Sequence, residues 1–234
     1  MKKITIATLL LPHAARGNEL RQLRDQFVQL IGREHSLAHG HTPDGAYIHR
    51  YPLVQYRRDK IIGVNAGADL LLTTWMQHRD ALGDVKLDLS TFDLALTDQL
   101  HTYYMHRWLP LSTQNYQRWK TMTEEERKVE LERLLTAHLL TMMREVDWYI
   151  DKTLYAKIIQ VTNQKKINMM NRKTADWEET YFISFGVLFE TNIRLPYHIG
   201  LGRGVRLGYG VLESAFAAKS NSKANMTVDL LNED

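Results

Sequence analysis

The feature that most constrains this chain is the order in which its hydrophobic period changes between Lys3 and Leu96. Lys3–Leu11 alternates as a strand does and is stopped by Pro12. In "RGNELRQLRDQFVQLI", Leu20, Leu23, Phe27, Leu30 and Ile31 recur at helical spacing, with Arg16, Arg21 and Arg24 off that stripe. "AHGHTPDGA" carries the turn chemistry of Pro43, Asp44 and Gly45. Tyr47–Tyr56 is aromatic and β-branched and reads as strand, with a hairpin break at Arg57–Lys60 leading into "IIGV". "NAGADLLLTTWMQHRD" reads as helix with Asn65 as its N-cap, and "VKLDLSTFDLAL" alternates again. Strand, helix, strand, strand, helix, strand is the split βαβ pattern of a ferredoxin-like domain.

The second half repeats the outline. "HTYYMHRWLPL" reads as a strand ended at Pro110. "TEEERKVELERLLTAHLLTMMREV" is a helix, with Thr123 and Glu126 at capping-box spacing. Its expected buried face is Val129, Leu131, Leu134, Leu135, Leu139, Met142 and Met143. "KIIQVTNQKKINMMNRK" has no acidic residue and reads as a strand with a mobile basic loop, followed by the strand "YFISFGVLFETN". The expected class is α+β, with two tandem ferredoxin-like (RRM-like) domains at residues 1–97 and 98–218 and a polar tail at 219–234. A period of ~20–50 residues, the mark of a solenoid, is missing.

Composition excludes several classes. At 234 residues, 44% hydrophobic and 24% charged, the chain has enough apolar matter for a real core. Its charge of +3 permits an anionic partner without demanding one. The absence of cysteine removes disulfides and thiolate metal sites. "MKKITIATLLLPHAARGNEL" superficially resembles a signal peptide. Its apolar run is short and is interrupted by Thr5 and Thr8, so it reads as strand. No stretch reaches the ~18 apolar residues of a membrane span, and a soluble cytoplasmic protein without a membrane partner is expected.

Five of the 13 glycines fall between Gly200 and Gly210, beside Arg203 and Arg206, in "LPYHIGLGRGVRLGYGVL". Such a cluster signals a sharply turning backbone or a close approach, and bare N–H groups in series make concave anion sites. "GLGRGVRLG" is no Walker A loop, because no Gly-Lys-Ser/Thr follows. A dinucleotide fingerprint belongs after the first strand of a βαβ unit, whereas this loop lies near the end of the chain. A loop for a polymeric phosphate backbone and a tight turn cluster with two solvated arginines both fit the letters.

"GLGRGVRLGYG" resembles the C-terminal glycine-rich loop of the CRISPR RAMP superfamily, whose members are built from ferredoxin-like domains. "LAHGHTPDGAYIHRYPLVQYRRDKIIGVNAGADLLL" is similar to the repeat-cleaving endoribonucleases of the Cas-six type, b branch: a His-x-His turn, then "YPLVQY", then "IIGV-x-x-GA". "WLPLSTQNY" fits the opening of that branch's C-terminal domain. Family loops commonly carry a basic residue just before the second Gly-aromatic-Gly. Here that position is Leu207, and the charge is at Arg206. The resemblance implies cutting of precursor CRISPR RNA within each repeat, without metal or other cofactor. It places His39 and His41 at the catalytic histidine pair. It gives Gly200, Gly202, Arg203, Gly204, Arg206, Gly208 and Gly210 to RNA binding. The implied partners are CRISPR repeat RNA and a CRISPR interference complex, with the protein acting as monomer or homodimer.

Histidine suits both proton roles of metal-free RNA cleavage, because its unperturbed pKa is ~6.5. Tyr47 and Lys60 are candidate assistants. The basic strip that would hold RNA draws on Arg50, Arg57 and Arg58, and on Lys157, Lys165, Lys166, Arg172 and Lys173. For the hairpin tip at Arg57–Arg58 a solvated surface is the simpler reading. Trp75 and Trp148 sit in helical patterns and are expected in the core. Two other functions remain compatible with the letters. One is a catalytically silent RNA-binding RAMP subunit. The other is a metal-dependent phosphoesterase using His35, His39, His41 and Asp44.

Overall fold

A computed structural model describes residues 1–15, 19–32, 35–39, 51–171 and 178–216. The chain forms a mixed α/β protein with antiparallel sheet pairing, divided into two compact units.

The first unit comprises Met1–Ala95, Leu139–Thr153 and Gly204–Gly208. It contains β1 (Lys2–Leu10), α1 (Glu19–Ile31), the short α2 (Ser36–His39), β2 (Val54–Tyr56), β3 (Lys60–Val64), α3 (Ala66–Gln77) and α4 (Arg79–Leu82). The fourth strand is the opening part of β4 (Lys86–Trp108). Strand order is β2-β3-β1-β4. β1 pairs antiparallel with β3, from Ile6↔Val64 to Leu10↔Lys60, and with β4, from Lys2↔Leu94 to Leu10↔Lys86. Order and direction are those of a ferredoxin-like sheet, which the strand–helix alternation predicts. Ile4, Ala7, Leu9, Phe27, Tyr56, Ile61, Ala68, Leu71 and Leu94 form its core. Phe27 meets Tyr56 edge to face at 6.1 Å between ring centroids. The "IIGV-x-x-GA" letters have a packing reason. A Cβ on Gly63 would collide with the carbonyl of Gly67, so β3 and α3 cross where neither residue has a side chain.

The second unit comprises Leu96–His138, Leu154–Arg203 and Tyr209–Asp234. It takes the second part of β4, α5 (Thr113–Trp119), most of α6 (Glu124–Glu145), β5 (Ala156–Asn171), β6 (Glu178–Arg194) and β7 (Val211–Ser214). β4 lies beside β6, β6 beside β5, and β7 pairs with β4. The ferredoxin-like order thus recurs, while the chain between β6 and β7 carries a single 3₁₀ turn, Val205–Leu207, which is counted with the first unit. Trp119 packs edge-on to Phe185 at 5.5 Å and Tyr103 on Phe189 at 5.7 Å. The Tyr103 hydroxyl also accepts from the Leu195 amide at 2.7 Å.

Local expectations fare unevenly. The capping box forms: Thr123 N donates to Glu126 Oε2 at 2.8 Å, and Glu126 N to Thr123 Oγ1 at 3.3 Å. Asn65 stands at the start of α3, yet its side chain does not cap. Its Oδ1 accepts from Thr5 N at 3.0 Å, which ties β1 to the helix entry. The two strands expected on either side of residue 98 are one continuous 23-residue strand. Nothing between Ala95 and His101 breaks it, since that stretch holds neither Gly nor Pro. Val129, expected in the core, is 67% exposed, whereas Leu131, Leu134, Leu135, Leu139, Met142 and Met143 are buried. Trp148 is buried and Trp75 half-buried, its Nε1 donating to the Val85 carbonyl at 3.0 Å. Lys165 and Lys166 lie within strand β5 rather than in a loop. Of the strand expected at Tyr47–Tyr56, residues 51–56 are described, and only Val54–Tyr56 is strand there; residues 47–50 lie outside the described residues. The tail at 219–234 lies outside the described residues. Among the described residues, no helix is long and apolar enough to cross a membrane.

Candidate functional site

The glycine loop is built mainly by its own backbone. Gly200 bridges to Val211, Leu201 N donates to the Gly210 carbonyl at 2.9 Å, and Gly210 N to the Arg107 carbonyl at 3.2 Å. Arg203 N donates to the Leu109 carbonyl at 3.2 Å. Gly202 has φ +90, and a Cβ there would sit 2.7 Å from Trp108 Nε1 and 2.9 Å from its Cδ1. A Cβ on Gly210 would collide with the Leu201 carbonyl. Both glycines are therefore required by approach of the protein to itself. Gly204 and Gly208, in the left-handed region, flank the 3₁₀ turn, which is closed by Leu207 N to the Gly204 carbonyl at 2.8 Å.

The two loop arginines have different surroundings and belong to different units. Arg203 is exposed, with its guanidinium 5.7 Å from the Phe182 ring centroid in the second unit. Arg206 is half-buried in the first unit. Burial lowers its pKa, the Tyr56 hydroxyl opposes that shift, and the charge of Arg24 adds to it. Tyr56 is itself fully buried, and desolvation pushes its hydroxyl up to about 12.

Arg57 overturns the solvated-tip reading. Its neighbour Arg58 is exposed, but Arg57 is buried, with its guanidinium turned into the first unit. Nη1 donates to the carbonyls of Tyr56 at 3.0 Å and Val205 at 2.9 Å, and Nη2 to Gln55 Oε1 at 2.6 Å. It is therefore no part of an exposed basic strip. The signal in the sequence was Gln55, a lone amide within an apolar run, which demands a buried hydrogen-bond partner.

In the second unit, Trp108 is fully buried and its Nε1 donates to Nδ1 of His138 at 3.2 Å. The rings meet edge to face at 5.8 Å. Burial, then the charges of Arg203 and Arg133, hold His138 down at about 4. This neutral imidazole supports the indole against which Gly202 packs. No motif marked it.

His39 is the last residue of α2, a turn whose Leu37 is buried and whose Leu37 N donates to Nδ1 of His35 at 3.3 Å. The side chain of His39 lies outside the described residues, as do Gly40, His41, Asp44, Tyr47, Arg50, Arg172 and Lys173. Lys60 is largely buried and pairs with Asp59 at 3.3 Å. Lys157, Lys165 and Lys166 are exposed on β5, where Lys165 and Lys166 pair with Ser184 and Ile183 of β6. Lys165 and Lys166 are consecutive in a strand, so they point to opposite faces of the hairpin.

Comparison with known proteins adds a likeness to this geometry. A family model described as the Cas6b N-terminal domain matches residues 2–108, and one described as the Cas6b C-terminal domain matches residues 95–215. A solved structure of a Cas6b is similar over 92% of this chain and 100% of that one, with a TM-score of 0.73 and 21% identity. A second, a CRISPR RNA processing endoribonuclease Cas6b, is similar over 90% of this chain and 98% of its own, with a TM-score of 0.65 and 20% identity. An uncharacterised protein of Methanocaldococcus jannaschii is 24% identical over 133 residues, 57% of this chain and 84% of that protein.

Proposed function

This chain belongs to the Cas6b family, and on that premise we propose that it is an endoribonuclease that cuts precursor CRISPR RNA within its repeats, without metal. The observation that carries the reading is the match of both Cas6b domain models, in chain order, from residue 2 to residue 215. The residues available support a mechanism in which the RNA supplies the nucleophile. With no cysteine in the chain, no thiolate is at hand. The ribose 2′-oxygen attacks the adjacent phosphorus in line while a histidine takes its proton. The bond from phosphorus to the 5′-oxygen breaks, and a second histidine protonates that oxygen. The products are a 2′,3′-cyclic phosphate and a 5′-hydroxyl.

His39 and His41 are the pair assigned to these transfers. Each well-placed proton transfer contributes roughly 10²–10⁴ in rate. Arg203 and Arg206 are assigned to phosphate binding. Their fixed positive charge stabilises the substrate and the phosphorane formed on the way. Lys165, Lys166 and Arg50 are assigned to RNA binding as well. The test is incubation of the purified protein with its own repeat RNA in excess chelator. One discrete cut per repeat is expected. Tight binding with no cut would favour a silent RNA-binding subunit.

A further inference from the structure

Arg57 is 6% exposed and Gln55 0%. Behind the guanidinium, Gln55 is held in turn. Its Nε2 donates to the Tyr51 hydroxyl at 2.8 Å and to the Pro52 carbonyl at 3.0 Å. Tyr51 is also buried, and desolvation pushes its hydroxyl up to about 12, so at neutral pH it stays protonated. Tyr51, Gln55 and Arg57 thus form a fixed series that ends on the Val205 carbonyl, 148 positions away in sequence.

An arginine is a costly way to fill space at a hairpin tip, because its charge must leave water. Burial lowers this guanidinium to about 10, which leaves it charged at neutral pH. An apolar residue would fill the same space without that cost, so the geometry of the acceptor needs a reason. Val205 opens the 3₁₀ turn Val205–Leu207, and its carbonyl also accepts from Gly208 N at 3.1 Å. That carbonyl belongs to the peptide joining Val205 to Arg206. Fixing it fixes the plane from which the Arg206 side chain leaves. Arg206 is half-buried, and its guanidinium feels the Tyr56 hydroxyl and the charge of Arg24, so its orientation is sensitive to the backbone that carries it.

We propose that Arg57 is a positioning residue that acts through the Val205 carbonyl to aim Arg206 at a backbone phosphate of the RNA, without touching the RNA itself. The inference rests on the reading of the glycine loop as an RNA surface. Arg57 contributes orientation, and Arg206 contributes the contact. The fork matters as well as the charge, because one planar group serves Val205 and Gln55 from two nitrogens.

Two measurements test this. The first is hydrogen exchange on the free protein. Arg57→Met should speed exchange at the Leu207 and Gly208 amides by about tenfold and leave the amides of β1 and β3 unchanged. Unchanged exchange at the turn would overturn the claim that Arg57 sets it. The second is a double-variant cycle on repeat RNA binding, read as the slope of log K against log salt. Arg57→Met should lower the slope by ~0.7, the loss of one phosphate contact on single-stranded RNA. It should lower it no further when Arg206→Ala is already present. An equal drop in both backgrounds would overturn the proposal, because Arg57 would then be a contact of its own. Affinity lost with no change of slope in either background would also overturn it, leaving Arg57 with a role in stability only. If Arg57→Met does not fold, Arg57→Lys, which keeps the charge and loses the fork, carries the same cycle with the same expected result. Wild-type protein that binds no repeat RNA would sink the functional reading and with it the phosphate target. The exchange result would still decide whether Arg57 holds the turn.

Discussion

Trp108 Nε1 donates to Nδ1 of His138 at 3.2 Å, which requires the Nδ1 of this imidazole to be unprotonated. With burial and two nearby arginines holding His138 at about 4, against an ordinary 6.5, the unfolded chain binds the proton more readily than the folded one. The stabilisation is therefore complete above about pH 6.5 and is lost as pH falls toward 4. A shift of this size corresponds to ~2–3 kcal/mol by about pH 4.5. Urea unfolding of wild type and His138→Leu near pH 7 and about pH 4.5 measures it. The variant, though less stable at neutral pH, should show the smaller acid loss by that amount. Equal losses would mean that His138 does not titrate as a buried neutral group.

Gly202→Ala should destabilise more than Gly208→Ala. Both sites have positive φ, +90 and +83, so both substitutions are strained. At Gly202 the new methyl also falls 2.7 Å from Trp108 Nε1, whereas at Gly208 its nearest neighbour is the Tyr56 carbonyl at an ordinary 3.4 Å. About 1–2 kcal/mol is expected at Gly208, with ~1–3 kcal/mol more at Gly202. Equal losses in chemical denaturation would show that the indole moves aside freely.

These two cases show what was legible in the letters. The strand–helix order of the first unit could be read because each period change coincides with a turn residue. The glycine loop could be found as a cluster, but its reason could not. Gly202 answers to Trp108 and Gly210 to Leu201, and such contacts between distant segments leave no local pattern. Arg57 misled for the same cause: beside Arg58 it reads as a solvated tip, and only the carbonyl at Val205 turns it inward. Asn65 stood where an N-cap belongs, but its amide was claimed by Thr5 of β1. The letters divide the long strand β4, because two alternating runs meet around a polar stretch. Extended backbone tolerates that stretch when neighbouring strands pair with it.

Arg203→Ala and Arg206→Ala should each weaken repeat RNA binding and lower the salt slope by ~0.7. Arg203 is exposed over Phe182, so its replacement should leave stability within ~0.5 kcal/mol. Filter binding over a salt series, with melting temperatures alongside, separates contact from fold. An unchanged slope in the double variant would leave the loop a structural element alone.

His39→Ala and His41→Ala should lower single-turnover cleavage by roughly 10²–10⁴ each while changing RNA affinity little. Proton transfer acts in the transition state, whereas phosphate contacts already act in the bound ground state. Wild-type rates in both variants would remove these histidines from the chemistry.

The most direct test of the central claim is a repeat RNA carrying a single 2′-deoxy nucleotide just 5′ of the scissile phosphate, incubated with the protein in chelator. If the substrate's own hydroxyl is the nucleophile, this RNA binds like the native repeat and stays uncut, while the native repeat yields 2′,3′-cyclic phosphate and 5′-hydroxyl ends. Efficient cutting of the deoxy substrate, above all with added Mn²⁺ or Zn²⁺ required, would contradict the account and point to water activated at a metal.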